Sequence, residues 1–167
     1  MKIVILLALL MLAACSPAET ADFGDEVAVI YTGKFQNGTV FDSNVDSEDL
    51  LRFTVGDPGL IVGFTNGVRG MRQGQTRSVE VEPQYGYGLH DPELVMVLTL
   101  EEFEEDFPYV EGRELGRRFS YFLENGRMRF TSIADINETH IVLDANNPLA
   151  GKILIFEIEL VELIKNE

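Results

Sequence analysis

The chain of 167 residues is 46% hydrophobic and carries 13 Lys and Arg against 28 Asp and Glu, a formal net charge of −15. That apolar content suits one globular domain or two small ones and rules out a disordered polymer, and the acidic balance argues against a protein that grips nucleic acid through its phosphates. With a single cysteine, Cys15, no intramolecular disulfide, Cys-rich zinc site or iron–sulfur cluster can form.

Lys2 is followed by an apolar run from Ile3 to Ala14, shorter than the roughly 20 residues a bilayer-spanning helix takes. A basic start, a short apolar stretch and small residues before a cut read as a secretory signal over residues 1–14. Its end, Leu12-Ala13-Ala14-Cys15, resembles the lipobox of bacterial lipoproteins. The resemblance implies cleavage before Cys15 and lipidation of its thiol. Ser16 in place of Asp then implies a lipid anchor in the cell envelope, at the outer membrane facing the periplasm. The alternative is an ordinary cleaved signal with an incidental cysteine. Residues 15–22 read as a lipidated polar tether, with Ser16 to Asp22 reaching at most about 25 Å, so the folded part sits close to the membrane.

From Asp25 the pattern alternates, with Val27, Val29 and Tyr31 on one face of a strand and Ala28, Ile30 and Thr32 on the other. Asn37-Gly38 supplies the dipeptide of a tight type I′ hairpin, and the strand returns over Thr39 to Asp42. A short strand from Leu51 to Val55 follows. Asp57 reads as an N-cap and Pro58 as the first helical residue; Leu60, Phe64 and Val68, with Ile61 beside them, give this short helix its apolar stripe. Gly63, Gly67 and Gly70 weaken it by roughly 1 kcal/mol each where they lie inside it, so close packing on a sheet must hold it. Gln75 to Glu82 forms another strand, with Arg77, Val79 and Val81 on one side. The last strand spans Ile153 to Glu162, with Leu154, Phe156, Ile158 and Leu160 facing one way and Glu157, Glu159 and Glu162 mostly the other.

Between Leu89 and Ala145 the composition shifts. Eight acidic and no basic residues lie between Asp91 and Glu111, and Arg113, Arg117, Arg118, Arg127 and Arg129 follow. Strands are expected around Arg117–Leu123, over Arg127–Ile133 after an Asn125-Gly126 turn, and over His140–Leu143. The acidic run from Glu101 to Asp106 reads as a solvated face. A stretch with its own hairpin is an inserted subdomain rather than a loop.

Four ordered blocks then match a known family: Tyr31-Thr32-Gly33-Lys34; the stretch from Gly38 to Asn44; Leu60 to Phe64 with Gly67-Val68 and Gly70-Met71; and Pro83 to Gly88. In order and spacing they resemble the FKBP-type peptidyl-prolyl cis-trans isomerases. The run from Asn146 to Lys152 resembles the return into the core in the SlyD-like branch, in which a chaperone subdomain is inserted in the flap. The resemblance implies an α+β fold, an antiparallel FKBP-type half-barrel sheet wrapped on one short helix, with a small mostly-β inserted subdomain. Residues 23–88 and 146–163 would form the isomerase domain and 89–145 the insertion.

By the same resemblance Tyr31, Phe41, Asp42, Ile61 and Tyr87 carry catalysis, and Phe53, Leu60, Phe64 and Phe156 bind the proline. Phe64 stands where the family commonly has Trp. Asp42 is expected to orient Tyr31, while the Ile61 N–H and the Tyr87 hydroxyl hold substrate carbonyls. No cofactor and no metal are implied: His90 and His140 are isolated, and the tail lacks the His- and Cys-rich run of metal-binding relatives. Asn147 stands before Pro148-Leu149 where many relatives have His, a departure at the hinge of the insertion. Client capture is expected from Phe103, Phe107, Tyr109, Val110, Phe119, Phe122 and Met128, of which about half should instead form the insertion's own core. The implied partners are unfolded, proline-containing polypeptides and, through Cys15, the membrane; the chain is expected to be monomeric and to bind no nucleic acid. The competing readings are a non-enzymatic holdase or assembly lipoprotein on the same fold, and a plain scaffold.

Overall fold

The computed structural model describes residues 19–47 and 49–166; the apolar leader and Cys15, on which the signal and lipidation readings rest, lie outside the described residues. Two antiparallel sheets carry the chain. The first contains β1 (Glu26–Phe35), β2 (Val40–Ser43), β3 (Leu51–Thr54), β4 (Thr76–Val81) and β9 (Leu154–Ile164). Its order is β2-β1-β9-β4, with β3 also on β1. Long pairing of β1 with β9, from Glu26 opposite Ile164 to Phe35 opposite Leu154, forms its spine. Period-two alternation decides which side is wet: Leu154, Phe156, Ile158 and Leu160 are buried, while Glu157 and Glu159 are exposed. Ala28 is fully buried on the other face because Arg52 and Glu162, its partners on either side, join over it in a bidentate pair at 2.6 and 3.0 Å.

The hairpin between β1 and β2 is not the expected two-residue turn. Phe35 N–H donates to Thr39 O, and Gly38 N–H donates back to Phe35 O. Gly38 has φ +85°, and no non-glycine residue has positive φ among the described residues. This is a type I turn closed by a left-handed glycine, so β2 begins one residue later than the sequence suggests. The Asn125-Gly126 loop repeats it, with Leu123 N–H on Arg127 O and Gly126 at φ +76°.

Helix α1 (Val62–Val68) starts four residues after the expected position, with Ile61 at its N-cap. The Asp57 carboxylate accepts the Gly59 N–H at 2.7 Å, and Asp57 O accepts Leu60 N–H, so its local bonding builds a turn before the helix. A Cβ on Gly63 or Gly67 would press on Val81 or Val79 of β4; these glycines permit the close approach that compensates for their poor helix propensity. Arg77, also on β4, donates to the carbonyls of Gly67, Arg69 and Gly70. Its cation thus closes the helix C-terminus. Phe64 and Val68 bury the apolar stripe in the first core with Met71, Leu154 and Phe156.

The second sheet contains β5 (Val95–Thr99), β6 (Arg118–Phe122), β7 (Met128–Ile136) and β8 (His140–Asp144) in the order β5-β8-β7-β6. Its inner face carries a separate core of Phe103, Phe107, Ile133, Ile141 and Leu143. Phe103 belongs to α2 (Leu100–Asp106), a helix that the sequence pattern does not announce and whose carboxylates, from Glu101 to Asp106, form the expected solvated face. Thr99 and Glu102 close a reciprocal capping box at its start. Strand β5 is likewise an element that the sequence pattern does not announce.

The N-terminal segment is bound, not free, from Thr20 onward. Ala21 is buried; it donates to Met71 O and accepts from Gly70 N–H. Lys165 Nζ reaches both Thr20 O and the Asp25 carboxylate, and Asn166 N–H reaches the other Asp25 oxygen. The Lys165 ammonium holds the Asp25 carboxyl below the usual carboxylate range. Thr20, Ala21 and Asp22, the last three residues of the stretch expected as a polar tether, are therefore docked on the fold.

Candidate active site

The inner face of the first sheet, the loop before α1 and the turn after β4 enclose a cavity of about 150 Å³. Its walls are Tyr31 of β1, Asp42 of β2, Leu51 of β3, Gly59, Leu60 and Ile61 of the loop, Phe64 of α1, Tyr87, and Phe156 of β9. Phe64 and Phe156 are buried and meet edge to face, with centroids 5.1 Å apart. Tyr31 stands against Phe64 at 5.5 Å in the same arrangement. Each ring edge therefore meets a neighbouring face, which is the favoured aromatic geometry.

The polar groups sit along one side. Tyr31 Oη donates to Asp42 Oδ2 at 2.7 Å. Burial, then the hydrogen bond and charge of Asp42, then nearby Tyr87, push the Tyr31 phenol up to about 12. The Ile61 N–H and the Tyr87 hydroxyl donate to no group among the described residues. Tyr87 follows a 3₁₀ turn, Pro83–Tyr85, where Gly88 N–H bonds Pro83 O, and is 41% exposed. Among the described residues no group of three His, Cys, Asp or Glu side chains is placed to hold a metal.

Seven of the nine residues singled out for the pocket line the cavity: Tyr31, Asp42, Leu60, Ile61, Phe64, Tyr87 and Phe156. Phe41 and Phe53 do not. The Phe41 ring packs on Gly33, where a Cβ would collide with it, and meets Phe156 at 5.7 Å. Phe53 is buried behind Phe64, with centroids 5.8 Å apart. Both support the floor from outside. Leu51 takes the place on β3 expected for Phe53; the two share a face, and the sequence alternation alone does not say which reaches the cavity. In the insertion, Phe103 and Phe107 are core, Val110 and Phe119 pack against it, and Tyr109, Phe122 and Met128 are exposed. Phe130 and Val97, not singled out by sequence, are exposed as well.

The raised phenol has a consequence for stability. The folded chain keeps Tyr31 protonated to about 12, whereas an unfolded tyrosine ionises near about 10. The contribution is complete below about pH 10 and is lost as pH rises toward the folded value. Denaturant unfolding measured across this range is expected to show a decline that Tyr31→Phe flattens.

Rotation about an X–Pro bond must overcome about 18–20 kcal/mol of lost amide resonance, and it requires no nucleophile and no general base. A shaped apolar cavity with a few donors at its rim suffices, if it fits the twisted imide better than the planar one.

The profile of the family described as FKBP-type peptidyl-prolyl cis-trans isomerase matches residues 18–161. The chain is 27% identical over 146 residues to the FKBP-type 16 kDa peptidyl-prolyl cis-trans isomerase of Escherichia coli (strain K12), covering 87% of this chain and 95% of that protein. It is 30% identical over 123 residues to the FKBP-type peptidyl-prolyl cis-trans isomerase SlyD of Helicobacter pylori, covering 72% and 62%. The fold is similar to that of a crystal structure of the three FKBP domains of wheat FKBP73, with a TM-score of 0.51 at 22% identity, covering 90% of this chain and 43% of that one. The match runs through both sheets and the cavity meets the needs of imide rotation: this chain belongs to the FKBP-type peptidyl-prolyl cis-trans isomerase family and is an enzyme of that type.

Proposed function

We propose that this isomerase accelerates proline-limited folding of exported proteins while anchored to the membrane through a lipidated Cys15, and that its second sheet captures unfolded clients. The observation that carries the catalytic part is the Tyr31–Asp42 pair at the wall of an aromatic cavity, beside the uncommitted Ile61 N–H and Tyr87 hydroxyl. The proline ring enters the cavity over Phe64 and Phe156, with Leu51 and Leu60 at its sides. Ile61 N–H and Tyr87 Oη hold the carbonyls flanking the imide. The Asp42 carboxylate aligns the Tyr31 phenol and lies beside the carbonyl whose carbon grows more positive as resonance is lost. The reaction calls for no cofactor.

Capture is supported by exposed Tyr109, Phe122, Met128 and Phe130. An open groove of about 700 Å³ also runs between Met96, Phe107, Tyr109 and the β6 residues Tyr121 and Phe122. Flexible and aromatic apolar side chains adapt to varied segments. A client held there raises its own concentration at the cavity.

The test uses the full chain in detergent, with cis-to-trans conversion of a short X–Pro peptide and suppression of aggregation of an unfolded protein as separate readouts. Tyr87→Phe and Asp42→Asn are each expected to lower kcat/KM about tenfold. Phe122→Ser with Met128→Ser is expected to remove the aggregation effect while short-peptide turnover stays within about twofold. Full turnover in the first two variants refutes the cavity assignment, and undiminished protection in the third refutes capture on this sheet.

A further inference from the structure

One edge of β1 is divided between two partners. β2 pairs with Thr32 to Lys34, and β3 pairs with Glu26 to Val29. Ile30 and Tyr31 fall in the seam, where no strand offers a ladder on that side. Backbone groups in such a place need other partners, and Asn44 supplies them. Its Oδ1 accepts Tyr31 N–H at 2.7 Å, and its own N–H donates to Tyr31 O at 3.2 Å. Its Nδ2 donates to Val29 O at 3.1 Å and to Asp49 O at 3.3 Å.

We propose that Asn44 is a positioning residue for the isomerase reaction: its carboxamide replaces the missing rung between β2 and β3 and so holds Tyr31, Asp42 and Leu51 in register around the cavity. This rests on the cavity reading above. Tyr31 is held by both of its backbone groups. Asp42, which binds the Tyr31 phenol, lies two residues before Asn44. Val29, whose carbonyl the amide takes, is the register partner of Leu51. The chemistry selects the residue: a carboxamide on a short stem gives one acceptor and two donors, whereas Asp has no donor. Ser43 Oγ also reaches Tyr31 O, at 3.2 Å, but that carbonyl already has the Asn44 N–H, and nothing else among the described residues takes the Tyr31 N–H on this edge.

The experiment compares Asn44→Ala and Asn44→Asp with the unaltered full chain. Small misplacements of a reacting group cost up to about a hundredfold, so Asn44→Ala is expected to lower kcat about tenfold or more with KM within about twofold. The Tyr31 phenol, read from phenolate absorbance as the difference from Tyr31→Phe, is expected to move from about 12 toward about 10. Asn44→Asp keeps the acceptor for Tyr31 N–H, loses both donors, and is expected to lose less kcat than Asn44→Ala. If Asn44→Ala does not fold, the kcat of Asn44→Asp decides. Unaltered kcat in the folded variants, with the phenol still near its original value, overturns the inference. Unaltered kcat in Tyr31→Phe refutes the cavity reading itself, whereas a loss in Tyr31→Phe with none in the Asn44 variants refutes only the role of Asn44.

Discussion

Phe156→Ala is expected to destabilise the core of the first sheet by about 3–5 kcal/mol and to abolish peptide isomerisation. Phe156 is 4% exposed on the spine strand β9, opposite Gly33 on one side and Val79 on the other. Its ring meets those of Phe41 and Phe64 edge to face. Removing it leaves a hole under the cavity that neither neighbour can fill, because each is packed on its own support. Against a domain stability of about 5–15 kcal/mol the loss is large. Denaturant unfolding measures it, and Phe156→Leu, which conserves most of the volume, is expected to cost less than about 1.5 kcal/mol. A loss below about 1 kcal/mol in the alanine variant contradicts a packed floor and with it the pocket's rigidity.

Gly63→Val is expected to cost about 3 kcal/mol, at the upper end of overpacking effects. The position lies over Val81, where even a single added carbon would come within 2.8 Å of both methyl groups. The modest gain in helix propensity does not offset this. Relief requires α1 to lift from β4, which moves Phe64 and the adjoining Ile61 N–H together, so turnover falls with stability. Val81→Ala in the same chain is expected to recover part of the loss, with a coupling of about 1–2 kcal/mol in a double-mutant cycle. Strict additivity of the two substitutions would show that the helix does not rest on Val81.

Alternation made β1 and β9 legible, because a half-buried strand displays its wet and dry faces directly in Val27, Val29, Phe156, Glu157 and their neighbours. Turn chemistry was only half legible. Asn37-Gly38 and Asn125-Gly126 mark hairpins, yet the loop length depends on how the flanking strands pair, which two residues do not encode. Asp57-Pro58 carried a strong helix-start signal that local side-chain bonding diverted into a turn. Helix α2 was hidden because it buries one phenylalanine, too few for a stripe, although Thr99 and Glu102 held the capping signal. In the cavity, matched motifs brought out the aromatic residues and Asp42. They could not separate Leu51 from Phe53 on one strand face, nor reveal that Asn44 bonds β1 in the seam between β2 and β3. Such a role exists only after β2 and β3 have both docked on β1.

Thr20 and Asp25 meet Lys165 and Asn166, so the described chain sets out from and returns to one corner. Bringing ends together there makes the fold close to a ring in its connectivity. Were those ends joined and the ring opened between Asn125 and Gly126, β9 would run straight into β1 and the first sheet would be continuous in sequence. The second sheet would then be the divided one, its halves at the two new termini. Which of the two sheets interrupts the other is thus decided by where the polypeptide is cut, while the strand partnerships themselves are indifferent to it.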